Sequence, residues 1–270
     1  MKVGLYSITF LGVWYQGKAL TLEGMVQKAK EYGYDGIEID GKRPHGNPID
    51  WPTRRCQQLR SLADGEGIEI YAVAANNDFS SPICEHREAQ IVYLRELIRM
   101  ASDLGAPVVR VFLAWPGVTK HPQIATYTLA RNIWQYTHSL TTSADDWSRC
   151  RDGLAECARY AADYGVTLAL QNHVPIITGY HDMLRMIQQI DSPHLKACLD
   201  LPLLSDKSPE GIRAATAAVG RLQVLSHFGG EYERAADGSI VNDRGNEAHV
   251  HFIRGMRQIG YSGYMGYELC

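Results

Sequence analysis

Two rhythms of hydrophobic residues alternate along this chain. Apolar positions three and four apart, as in Leu22, Met25, Val26 and Ala29, then Ile91, Leu94, Ile98 and Ala101, then Leu154, Cys157, Ala158 and Ala161, predict amphipathic helices with one buried face. Between them stand short runs rich in Val, Ile and Leu, each preceded by glycine: EYGYDGIEID, DGEGIEIYAV, DLGAPVVRVFL, DYGVTLALQ and QIGYSGYMGYEL. Glycine supplies the left-handed residue that stops a helix, and runs this continuous suit parallel strands covered on both faces. Strands are expected near residues 3–9, 35–40, 68–74, 107–113, 166–172, 195–200, 221–227 and 263–268, with helices in the first seven gaps.

Eight such steps in 270 residues predict a closed α/β barrel of the (β/α)8 type, one domain over residues 1–270, because parallel strands need crossover helices and eight of them close a ring. A doubly wound open sheet is the alternative. It usually carries a Gly-rich phosphate loop after its first strand, and LYSITFLGVWY has none. The chain stops at Glu268-Leu269-Cys270, so the eighth helix is missing; either a longer product or a partner covering that gap is expected.

Composition narrows the partners. A net charge of -3 without a basic stripe argues against nucleic acid. With no run of 18 apolar residues and no signal-peptide pattern at MKVGLYSITF, a soluble cytoplasmic protein without a membrane partner is expected. The six cysteines (56, 84, 150, 157, 198 and 270) show no CxxC pair; Cys150 and Cys157 fit one helix face as small core residues.

In such a barrel the reactive groups sit on the carboxyl ends of the strands. Strand five ends on Gln171, Asn172 and His173, strand six on Asp200, strand seven on His227 and strand eight on Glu268. Singly, each has an ordinary reading as a helix cap or a satisfied histidine. Together, an amide oxygen, two carboxylates and an imidazole at four consecutive strand ends form a mixed O/N shell for Mn, Mg, Co or Zn.

The phrases VGLYSITF, GYDGIEID, LAL followed by an acid or amide, CLD, SH and a final GYE resemble the sugar phosphate isomerase/epimerase group of xylose isomerase-like TIM barrels. That group includes ketose 3-epimerases, inosose dehydratases and, more distantly, endonuclease IV. The resemblance covers nearly the whole chain. It implies a divalent cation, often manganese, held by Gln171, Asp200, His227 and Glu268.

The family usually has glutamate where this chain has Gln171, and in its epimerases that residue and the one matching Glu268 serve as two bases. An amide cannot accept that proton. His173, two residues on, is then the candidate base; capping the helix near 179–191, or holding substrate without proton transfer, is the alternative. One base beside a cation favours proton abstraction followed by β-elimination. The site pattern thereby resembles inosose dehydratases and the catalytic subunits of C-glycoside deglycosidases, which work with a small β-sandwich partner. A keto-sugar isomerase or epimerase is the alternative outcome, and a metal-binding barrel without turnover a further one. A homo-oligomer or a complex with a small beta subunit is expected.

Further polar groups are expected at the mouth. Arg234 could fork onto substrate hydroxyls; Lys42, Arg43 and His45 face the substrate or pin their loop. Trp115 stacks on a sugar or shields segment 114–144, whose length suits a lid or partner surface, while Asn76 and Asn77 could bond hydroxyls.

Overall fold

Helix boundaries follow the local chemistry. Helix α1 (Leu22–Glu31) starts where the Thr21 hydroxyl accepts the Gly24 N–H, while α2 (Thr53–Glu66) and α3 (Cys84–Leu104) end on Gly67 and Gly105, both left-handed with φ of 72° and 75°. Helix α5 (Ser143–Asp163) opens on a reciprocal capping box between Thr142 and Asp145. The remaining helices are α4 (Thr128–Thr137), α6 (Tyr180–Ile190), α7 (Pro209–Val219) and α8 (Asn246–Gln258).

These coordinates come from a computed structural model that describes all residues except 14–16, 121–124, 230–232, 238, 239, 242–245 and 270. At 120, 233, 234, 240, 241 and 246 it describes the backbone only.

Eight parallel strands close the barrel: β1 (Lys2–Tyr6), β2 (Gly36–Asp40), β3 (Glu69–Ala74), β4 (Val108–Val111), β5 (Thr167–Gln171), β6 (Leu195–Cys198), β7 (Gln223–Phe228) and β8 (Tyr264–Tyr267). They pair in the ring order β1-β8-β7-β6-β5-β4-β3-β2. The expected alternation holds, with a helix in each of the first seven gaps and both α4 and α5 in the fourth. Strand one is shorter than expected, because the chain turns into a 3-10 helix at Ser7–Phe10, where the Ser7 hydroxyl takes the Asp40 N–H at 2.8 Å. Among the described residues no helix is long and apolar enough to cross a membrane.

Most of the core lies between strands and helices, where Leu168, Leu170, Cys150, Cys157, Leu97 and Met183 are fully buried. The segment after β4 folds into a small hairpin (Thr119–Lys120 with Ala125–Thr126) and α4. Trp134 of α4 and His138, which caps it, each bond the Ser80 hydroxyl at 3.0 Å, tying this insertion to the loop after β3.

Inside the ring the amino-terminal half is filled by Tyr71, stacked on Tyr264 with centroids 4.0 Å apart. Glycine on β1 and β8, across the ring, makes that room: a Cβ at Gly4 would collide with Tyr71 Cε1, and one at Gly266 would come 2.7 Å from the Tyr71 hydroxyl. Gly4→Ala is therefore expected to destabilise the barrel by about 1–3 kcal/mol through overpacking. In a Tyr71→Ala background the same change should lose most of that penalty, as read from denaturant midpoints and the double-mutant cycle.

Candidate active site

A cavity of about 640 Å3 opens at the carboxyl ends of the strands, the end the fold reserves for chemistry. The QNH ending of β5 distributes its three polar residues. Gln171 and His173 line the cavity, whereas the Asn172 amide turns sideways and clamps the neighbouring strand end, accepting the Asp200 N–H at 2.8 Å and donating to the Asp200 carbonyl at 3.2 Å.

At the base, Gln171, Asp200 and His227 meet. The Gln171 amide N–H donates to Asp200 Oδ2 and lies 3.5 Å from His227 Nδ1, which is itself 2.9 Å from Asp200 Oδ2. The His227 backbone N–H adds a 2.7 Å bond to Asp200 Oδ1. Cys198 completes a group with Asp200 and His227 whose potential ligand atoms all lie within 4.8 Å of one another. Glu268 lines the same cavity but is not part of that tight group.

The electrostatics are those of a buried acidic centre. Burial alone would lower the His227 pKa, yet Glu38 and Asp200 raise it well above the ordinary imidazole value. Burial would raise Asp200, but His227 and the hydrogen bonds from His227 and Gln171 hold it below the usual carboxylate range. Glu268 is raised, by burial first, against the pull of His227 and Arg110.

Arg110 spans the other half of the floor. It donates to Gln171 Oε1 at 3.2 Å and to the Tyr6 hydroxyl at 2.7 Å, and that hydroxyl donates to Asp40 Oδ2 at 2.7 Å. Glu38, Asp40, Asp200 and Glu268 gather around the floor, where Arg110, Lys42 and the His227 imidazole stand against them. The excess of negative charge and the O, N and S donors fit a divalent cation. Asp200 and His227, with Glu268 on the same cavity, could hold one. Gln171 as oriented aims its N–H at Asp200, so it would offer oxygen only after its amide turns over and gives up the Arg110 bond.

His173 is half-buried, edge-on to Phe112 and Trp115 at centroid distances of 4.8 and 5.2 Å. Its Nδ1 is 2.5 Å from the Val174 carbonyl, which can only accept, so that nitrogen carries the proton and the neutral ring keeps its lone pair on Nε2. Burial lowers its pKa, which favours that neutral form.

The other expected contacts divide. Trp115 lines the cavity, stacked on Phe112 at 5.2 Å, and so do Asn76 and Lys42. Asn77 does not; it bridges β3 to β4 through the Phe112 backbone. Arg43 pairs with Asp50. His45 is buried away from the cavity and pins its loop, with Nε2 donating to the Leu20 carbonyl at 2.9 Å and Nδ1 3.0 Å from the Ser7 hydroxyl. Arg234 has its backbone in a two-residue strand, and its side chain lies outside the described residues. Sequence reasoning missed Glu38, Asp40, Tyr6 and Arg110, charged or hydroxyl-bearing residues inside otherwise apolar strands, and His249 and His251, which line the cavity from α8. The polar letters within GIEID and VVRV were the available signal.

A model of the xylose isomerase-like TIM barrel family matches residues 26–270. The chain belongs to this family. Fructoselysine 3-epimerase of Shigella flexneri is 24% identical over 288 residues, covering 100% of this chain and 90% of that protein. A 2-epi-5-epi-valiolone 7-phosphate 2-epimerase of an Actinoplanes strain is 25% identical over 178 residues, 65% of this chain and 55% of its own. Among solved structures, D-psicose 3-epimerase from Clostridium cellulolyticum H10 superposes with a TM-score of 0.75 at 20% identity, over 99% of this chain and 84% of that one. The 3-keto-D-glucoside 4-epimerase from E. coli gives 0.70 at 17%, over 96% and 91%. At these identities the solved structures speak for the fold alone. The relatives named by activity are epimerases, and this overturns the expectation of β-elimination. Like them, this xylose isomerase-like barrel is an enzyme.

His45 yields a prediction about acid stability. Its folded pKa is lowered, mainly by burial, so its contribution is complete above the ordinary value of 6.5 and is lost as pH falls from there through the lowered folded value. His45→Gln should flatten the decline in unfolding free energy between pH 7.5 and pH 5, measured by urea titration at each pH.

Proposed function

We propose that this barrel is a divalent-metal-dependent keto-sugar epimerase in which His173 and Glu268 handle the proton. The observation that carries this reading is their placement: they follow β5 and β8, three places apart in the eight-strand ring, and line one cavity from facing sides. The epimerase names of the relatives support the same reaction class.

Epimerisation next to a carbonyl needs one group to remove the C–H proton and another to deliver a proton to the opposite face. A bound divalent cation, with manganese favoured by the O/N donors, supplies Lewis acidity toward the substrate oxygens. Nε2 of neutral His173 takes the proton, and the C–H electron pair moves toward the carbonyl oxygen to give an enediolate of the substrate. Glu268, on the β8 side of the same cavity, returns a proton to the opposite face. Arg110 and Tyr6 orient sugar oxygens at the floor, and Trp115 packs on the ring face. Gln171 holds Asp200 in place without competing for the proton.

Incubation of the manganese-loaded protein with a panel of keto sugars in deuterated water should give the inverted sugar with deuterium at the inverted carbon. Dehydrated or aglycone-free products, or no exchange with any keto sugar, would sink the proposal. His173→Ala should retain the cation and lose about 10²-fold or more in turnover. Gln171→Glu should bind the cation and alter the rate, since it places a second carboxylate beside Arg110.

A further inference from the structure

Glu38 carries no role in the reaction above, yet it lies at the centre of the barrel, fully buried. It belongs to β2 and reaches across the interior to His227 on β7, where Oε2 is 2.7 Å from Nε2. β8 and β1 stand between those strands, and they present glycine along this row: Gly266 pairs in register with His227 and Gly4 with Gly266. A Cβ at Gly266 would come 3.0 Å from His227 Cδ2 and 3.4 Å from Glu38 Oε2. Gly266 leaves the space in which imidazole and carboxylate meet.

The two ring nitrogens of His227 therefore face different surroundings. Nε2 faces Glu38 alone, whereas Nδ1 faces Asp200, Gln171 and Cys198 at 2.9, 3.5 and 3.8 Å. Arg110 Nε lies 4.0 Å from Glu38 Oε1 on the other side, and a carboxylate oxygen accepts from a ring N–H. We infer that Glu38 is a positioning residue that fixes His227 as the Nε2–H tautomer, so that the Nδ1 lone pair is directed at the cation centre. This rests on the cation reading above. A carboxylate behind a ligating imidazole sets its tautomer and ring orientation, and removing such a partner lowers metal affinity by about 10–100-fold.

The test reads affinity and proton location. Calorimetric titration of the metal-free protein with Mn2+ should show dissociation constants about 10–100-fold weaker in Glu38→Ala. Glu38→Gln should lose less, since its amide oxygen can still accept from Nε2–H, and it decides the matter if the alanine variant does not fold. 15N NMR of the Zn2+-loaded wild type should show a protonated Nε2 and a metal-shifted Nδ1 on His227, with the Nε2 proton no longer fixed in Glu38→Ala. Wild-type affinity in both variants, or a proton on Nδ1 in the loaded protein, overturns the inference alone. A wild-type protein without affinity for Mn2+ overturns it together with the cation reading.

Discussion

The imidazole of His227, caught between Asp200 on one side and Glu38 on the other, is the contact around which the interior is organised. It joins β2 to the β6–β7 edge through the middle of the ring, and its neighbours are placed to suit it. Gly266 is small there, Asn172 clamps the Asp200 backbone, and Arg110 balances part of the acidic charge. Buried ions survive only when paired, and each carboxylate here has a cation, a donor or an imidazole within reach.

Glutamine at position 171 shapes the chemistry on the β5 side. Its amide bridges Arg110 and Asp200, a link that needs an acceptor at one end and a donor at the other. A carboxylate could satisfy the arginine but would repel the aspartate. The amide thus tightens the floor while giving up proton transfer at that strand end. His173 stands one strand-repeat further on, held by Val174, Phe112 and Trp115 with its free nitrogen unprotonated.

The architecture was legible because it rests on periodicity: glycine-terminated helices and apolar runs gave eight strands and seven occupied gaps, and the structure follows them. Strand ends identified Gln171, His173, Asp200, His227 and Glu268, all of which line one cavity. Residues acting across the ring were not legible. Glu38 is 189 positions from His227, and Arg110 is 104 from Tyr6, so only closure of the barrel brings them together. For His45 the sequence left substrate contact and loop pin open, and the structure decides for the pin: both ring nitrogens serve to hold the chain. The expectation of elimination is overturned by the epimerase relatives; it took the loss of a base at Gln171 as decisive, although His173 and Glu268 both line the cavity.

The stacked Tyr71 and Tyr264 rings close the far end of the barrel, and that has a bearing on traffic. The reaction chamber is a cul-de-sac: whatever enters past Trp115 and the α8 histidines must back out through the same doorway. Under the proposed epimerisation, product and substrate differ at one carbon only, so departing and arriving sugars would compete for one vestibule. Net flux is then governed by their relative concentrations outside.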